Sequence, residues 1–216
     1  MATNSSKPII GIVGAGRLGT ALARQLLRAG YQVNISNSRG PQSLELMLGV
    51  LLPGAVALTV QEVIKKSTLI ILAMPLNKYT TLDPHWLSGK LVIDAMNYWP
   101  PTEGEIPEFT NNTTTSSEYL QHYFKDARIV KTLNHVAYNE LEEHSLPSAH
   151  PERRAIALTS DDDAAKQGVE QLIDALGFDP IDLGDLRQGY QFQPDTKLFN
   201  ARLSKRQIHE VTQESS

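Results

Sequence analysis

A chain of 216 residues, 41% hydrophobic and 20% charged, has room for one large folded unit and little more. With 20 basic against 24 acidic side chains, its net charge of -4 argues against nucleic acid as a partner, and the lack of cysteine excludes disulfides, thiolate metal ligands and a cysteine nucleophile. This composition fits the cytoplasm, the polar Met1 to Lys7 segment has no secretion-signal pattern, and no apolar run approaches the roughly 18 to 20 residues needed to enter a membrane as a spanning helix.

In chain order, Pro8 to Val13 is a β-branched run that predicts a strand buried on both faces. Leu18, Ala21, Leu22, Leu26 and Leu27 recur at helical spacing, and Ala29-Gly30 stops that helix before a second strand at Tyr31 to Ser36. The alternation continues with a helix at Gln42 to Leu51, a short strand at Val56 to Leu58, a helix at Val60 to Lys66 and a strand at Leu69 to Ala73. Pro75 closes that strand, a helix is expected in the segment that follows, and Lys90 to Ala95 gives a fifth strand. Asn97 to Ser117, with Pro100, Pro101, Pro107 and the polar run Asn111 to Thr115, reads as a long loop. Beyond it lie a helix near Glu118 to Phe124 and strands at Arg128 to Leu133, Arg154 to Thr159 and Pro180 to Leu183, the last two separated by a helix at Asp162 to Leu176. Asp161-Asp162-Asp163 stands where a helix cap belongs and is read as that rather than as a metal or phosphate site. No metal site is expected.

The pattern predicts an α/β, Rossmann-type, doubly wound and mostly parallel sheet with helices on both faces. It forms a single unit over residues 8–203, with a dinucleotide-binding core at 8–135, a smaller α/β extension at 136–203, and flexible tails at 1–7 and 204–216.

Gly14-Ala15-Gly16-Arg17-Leu18-Gly19 follows the first strand directly and opens the first helix, which is the setting that turns a common glycine spacing into a dinucleotide fingerprint. Gly14 would make the tight turn, Gly16 would admit a pyrophosphate to the backbone, and Gly19 would let helix and sheet pack closely. An acid normally ends the second strand and binds the ribose of NAD, but here the chain reads Ser36-Asn37-Ser38-Arg39-Gly40. Hydroxyls and a guanidinium suit a 2′-phosphate, so NADP(H) is the expected cofactor. Ala73-Met74-Pro75 and Asn97 end the fourth and fifth strands on the same sheet edge, where the nicotinamide half should lie.

These residues, together with Ile129 to Asn134, Gly184-Asp185-Leu186 and Leu198-Phe199-Asn200, resemble the family of coenzyme F420-dependent NADP oxidoreductases over residues 8–203. The chain is similar also to the cytosolic reductase domain of six-transmembrane metalloreductases, which use NADPH to reduce flavin and then metal. The resemblance implies a homodimer and a small-molecule acceptor, coenzyme F420 or a flavin, stacked beside the nicotinamide. Such transfer needs no acid or base, because the cofactors hold the chemistry. A carbonyl or imine acceptor would need a proton donor, for which His135, Tyr138 and Lys131 are candidates, with Asn134 at the family's acceptor position. A quinone acceptor, or an NADPH-binding redox-sensing module without turnover, are the competing readings.

Overall fold

Continuous apolar runs flanked by glycine and proline have to be buried on both faces, and a sheet covered by helices on each side provides that. The computed structural model describes residues 7–110 and 114–213. Its strands are β1 (Ile9–Val13), β2 (Gln32–Ser36), β3 (Val56–Ala57), β4 (Leu69–Leu72), β5 (Leu91–Asp94), β6 (Arg128–Thr132), β7 (Ala155–Thr159) and β8 (Asp179–Asp182). They form one sheet in the order β3-β2-β1-β4-β5-β6-β7-β8, with the order reversing between β1 and β4.

Side chains alternate across the sheet. Ile10, Ile12, Ile35, Ile71 and Ile93 face one layer, where they meet Leu22 and Leu26 of α1 (Arg17–Arg28). Ile70, Leu72, Val92 and Ile129 face the other, against Val63 and Ile64. That second layer comprises α3 (Val60–Lys66), which follows α2 (Glu45–Leu51), and the aromatic packing near Phe124. Each such isoleucine is fully buried, a gain of roughly 2 kcal/mol per side chain. Thr59 and Glu62 close a capping box that starts α3 at the expected residue.

The predicted strands all form, but the last part of the sheet turns over. β7 runs antiparallel to β6, and β8 is parallel to β7. A parallel crossover needs a helix of some length. Residues 133–154 hold only the single turn α7 (Glu140–Glu143), so the chain doubles back.

The predicted long loop carries two proline-started turns, α4 (Pro100–Glu103) and α5 (Pro107–Thr110), before α6 (Ser116–Tyr123). Asn111 to Thr113 of its polar run lie outside the described residues. Asp162 caps α8 (Asp163–Ala175) through the Ala165 amide at 2.9 Å, as read from the sequence.

The expectation of a flexible tail from 204 is corrected. Lys205–Gln213 form α9, with Ile208 packed on Ala155, Ala157 and Ile181. Of the other expected tail, only Lys7 is described, donating to the Ala29 carbonyl. No helix among the described residues is long and apolar enough to cross a membrane.

Candidate functional site

The turn between β1 and α1 is set by what its glycines leave out. Gly14 has φ +118°, and a Cβ there would lie 2.2 Å from the Ala73 carbonyl oxygen. A Cβ on Gly19 would lie 1.9 Å from the carbonyl oxygen of Gly14, so only glycine lets the first turn of α1 sit on the strand end. Gly16 is different: a Cβ there meets nothing within 4 Å, leaving the backbone open to the cleft. Gly16 also serves as the N-cap without a side-chain cap, and the first turn of α1 contains no acid, so amide donors and the positive helix end face the opening. This is the donor set that a pyrophosphate requires.

A cleft of about 650 Å³ runs from this turn toward the end of β2. Asn37 folds the β2 exit. Its Oδ1 accepts from the Arg39 amide at 2.9 Å, and its Nδ2 donates to Ser43 Oγ at 2.8 Å. That turn presents Ser38 and Arg39, both exposed, along the cleft wall. Among the described residues the Arg39 guanidinium has no acidic partner, and Lys78 adds a second cation to the same lining.

A second compartment of about 460 Å³ shares Gly16, Ala73, Met74 and Pro75 with the first and continues past the ends of β5 and β6. Asn97 and Asn134 fasten those ends to each other. Asn97 Nδ2 donates to the Asn134 carbonyl at 2.7 Å, and Asn134 Nδ2 donates to Asn97 Oδ1 and to the Phe192 carbonyl, each at 3.0 Å. Leu133 and Asn200, at φ +63° and +57°, hold left-handed backbone beside this wall, a strain that the surrounding bonds have to maintain. Trp99, Tyr138 and Phe199 line the opening, with Trp99 edge-on to Phe199 at 5.7 Å.

Beneath this floor lies a buried ion pair. Lys131 Nζ donates to Asp94 Oδ2 at 3.2 Å and to the Met96 carbonyl, while Asp94 also accepts from Ser117 Oγ at 2.6 Å and the Met96 amide at 3.0 Å. Burial pushes the Lys131 ammonium below the ordinary lysine range, with Asp94 pulling it back. Lys131 is thus a structural residue at the β5 turn rather than an acid in the cleft.

The structure brings Gly14, Ala15, Gly16, Asn37, Ser38, Arg39, Ala73, Met74 and Pro75 into the first compartment, and Arg17, Leu18, Asn97 and Asn134 into the second. Gly19 acts from below, by packing. Two expectations are corrected. Ser36 is fully buried, its hydroxyl 3.4 Å from the Ile12 carbonyl, so it belongs to the sheet and not to the lining. His135 is 2% exposed, accepts from the Ala157 amide at 3.2 Å through Nε2, and is not among the residues that line the cleft.

Sequence reasoning missed Val60, Lys78, Leu82 and Trp86 in the first compartment, and gave Trp99 and Phe199 no role in the second. Tryptophan following the β5 end was the one available signal.

Residues 9–98 match a family described as NADP oxidoreductase, coenzyme F420-dependent. The chain is 30% identical to the human metalloreductase STEAP2 over 193 residues, covering 88% of this chain and 36% of that protein. It therefore spans about a third of the length of the curated relatives it matches. Among solved structures, a hypothetical protein from Sinorhizobium meliloti superposes with a TM-score of 0.77 at 27% identity, covering 94% of this chain and 98% of that one. A chain from Arthrobacter sp. FB24, provisionally described as an F420-dependent NADP-reductase, gives a TM-score of 0.69 at 26% identity, covering 83% of this chain and 86% of that one.

Proposed function

This chain belongs to the coenzyme F420-dependent NADP oxidoreductase family, and we propose that it transfers hydride between NADPH and a flavin-type ring, coenzyme F420 or a flavin. One observation carries the reading: a single cleft joins an uncapped helix end and a free arginine to an aromatic-walled compartment. The residues present fit NADPH. Gly16 leaves open space at the α1 amides for the pyrophosphate, and Ser38 and Arg39 offer a hydroxyl and a forked cation to the 2′-phosphate.

When bound, the nicotinamide and the acceptor ring supply the hydride chemistry between them. The chain's own residues orient and shield. Asn97 and Asn134 fix the compartment floor by their mutual bonds, and Trp99, Phe199 and Tyr138 give apolar faces against which a planar ring stacks and water is excluded. Of the three candidate proton donors, Lys131 is spent on the Asp94 pair and His135 on the Ala157 amide, which leaves Tyr138 alone in the lining and suits a ring acceptor better than a carbonyl.

NADPH oxidation with coenzyme F420, flavin and quinone acceptors tests the proposal. Turnover with a ring acceptor supports it, whereas tight NADPH binding without oxidation by any of them would leave a sensing module instead. For the cofactor, Arg39→Ala is expected to weaken NADPH binding about 30- to 100-fold, the ~2–3 kcal/mol of a charge-assisted pair, with NADH scarcely affected. Titration of both nucleotides decides it, since equal losses would remove Arg39 from the phosphate.

A further inference from the structure

A separate cavity of about 440 Å³ lies behind the aromatic compartment, lined by Tyr98, Phe109, Ser116, Glu118, Arg187 and Tyr190 among others. The two spaces are neighbours across one ridge of chain. Asn97 and Trp99 line the cleft while Tyr98, between them, lines the cavity. Farther along the chain Tyr190 and Gln193 line the cavity and Phe199 lines the cleft, and Phe192, between the first two, is pinned where its carbonyl accepts from Asn134 Nδ2 at 3.0 Å.

The cavity is amphipathic. Phe109, Tyr98 and Tyr190 give it apolar sides, while its polar wall is made by Thr114, Thr115 and Ser116 at the start of α6 and by one cation, Arg187. Arg187 is exposed on the turn Leu186–Phe192 and has no side-chain partner among the described residues. Glu118, the one acid in the lining, is already engaged. Its Oε2 accepts from the Thr115 amide at 2.7 Å within a capping box, where the positive end of α6 balances its charge. Arg187 is therefore the one charged side chain of the lining left without a partner among the described residues.

We propose that this cavity takes the anionic tail of the acceptor, a phosphate- or carboxylate-bearing chain attached to the flavin-type ring, with Arg187 as its cation. The inference rests on the ring-acceptor reading above and adds to it that the acceptor is selected by its tail. A ring between Trp99 and the nicotinamide position would extend its substituent over the Asn97 to Trp99 ridge toward Arg187, leaving the Arg39 end of the cleft to the nucleotide.

Flavin mononucleotide and riboflavin carry the same ring with and without a phosphate, so they are the probes. The native chain is expected to show a KM for flavin mononucleotide about tenfold below that for riboflavin, a ratio that collapses toward one in Arg187→Gln and is partly kept in Arg187→Lys. A native ratio near one, or a ratio that Arg187→Gln does not move, overturns the assignment.

Failure of the underlying reading looks different, because then neither flavin oxidises NADPH. In that case binding still decides the subsite. Of the chain's two tryptophans, Trp86 lines the nucleotide end and Trp99 the ring compartment, so Trp86→Phe leaves Trp99 as the sole reporter. Tighter quenching by flavin mononucleotide than by riboflavin, lost in Arg187→Gln, supports the tail site; equal quenching by both overturns it.

Discussion

Replacing Lys131 with methionine is expected to lower the free energy of unfolding by about 3–5 kcal/mol, the typical penalty for stranding one member of a buried ion pair. Lys131 and Asp94 are 1% and 0% exposed, so neither charge has water to fall back on. Asp94 would keep its bonds from Ser117 and the Met96 amide, but those two donors do not replace an ammonium. The companion change Asp94→Asn removes the stranded charge, and the double variant is expected to recover at least half of the loss. Chemical denaturation of the four proteins of the cycle measures this. If single and double variants are equally unstable, the cost lies in lost packing around Lys131 and not in the charge.

The same cycle reports on function. The Lys131 ammonium also donates to the Met96 carbonyl, and Met96 and Asn97 form the floor on which the nicotinamide and acceptor would meet. Loss of that bond should therefore raise the KM for the acceptor more than it weakens NADPH, whose phosphates, on the proposed reading, would be held at the far end by the α1 amides and Arg39.

How much of this the sequence announced depends on the period of each segment. β1, the glycine turn and α1 are legible because a two-sided apolar run is followed by a 3.6-residue stripe, with two glycines between them and a third in the first turn of α1, whose roles differ. The stretch from Leu76 to Leu87, expected as a helix, is built from 3-10 turns, which match neither period, so nothing local marks Lys78, Leu82 and Trp86 as lining the first compartment. Phe199 and Asn200 meet Asn97 only because β7 runs back against β6, and no local pattern encodes that reversal. Ser36 is still inside the sheet, and the exposed positions are Ser38 and Arg39. α9 was legible in hindsight: Ser204 and Gln207 bond to each other as a capping pair, and Ile208 with Val211 makes the short apolar stripe that packs it.

His135 leads to the second large effect, on stability against acid. Its Nε2 accepts from the Ala157 amide at 3.2 Å, so the neutral ring carries its proton on Nδ1, and burial together with Arg154 and Lys131 pushes its pKa down to about 3. In the unfolded chain the ring titrates near its ordinary value of about 6.5. Between those values the unfolded state binds one proton that the folded state refuses. Stability contributed by this residue is therefore fully present above about pH 6.5 and declines as the pH falls, by about 1.4 kcal/mol per unit and on the order of 4 to 5 kcal/mol by pH 3.

Glutamine in its place offers an amide oxygen to the Ala157 N–H and cannot be protonated in this range. His135→Gln is thus expected to flatten the acid limb of the stability curve relative to the native chain, with the carboxylates contributing equally to both. Urea midpoints collected from neutral pH downward test this, and curves that stay parallel would show that protonating the ring costs the fold nothing. A ring that stays neutral through the physiological range, with its Nε2 spent on a backbone amide of β7 and its side chain buried outside the cleft lining, is not placed as an acid for an acceptor in the cleft. The acid limb and the absence of a proton-donating role for His135 are therefore consequences of one burial.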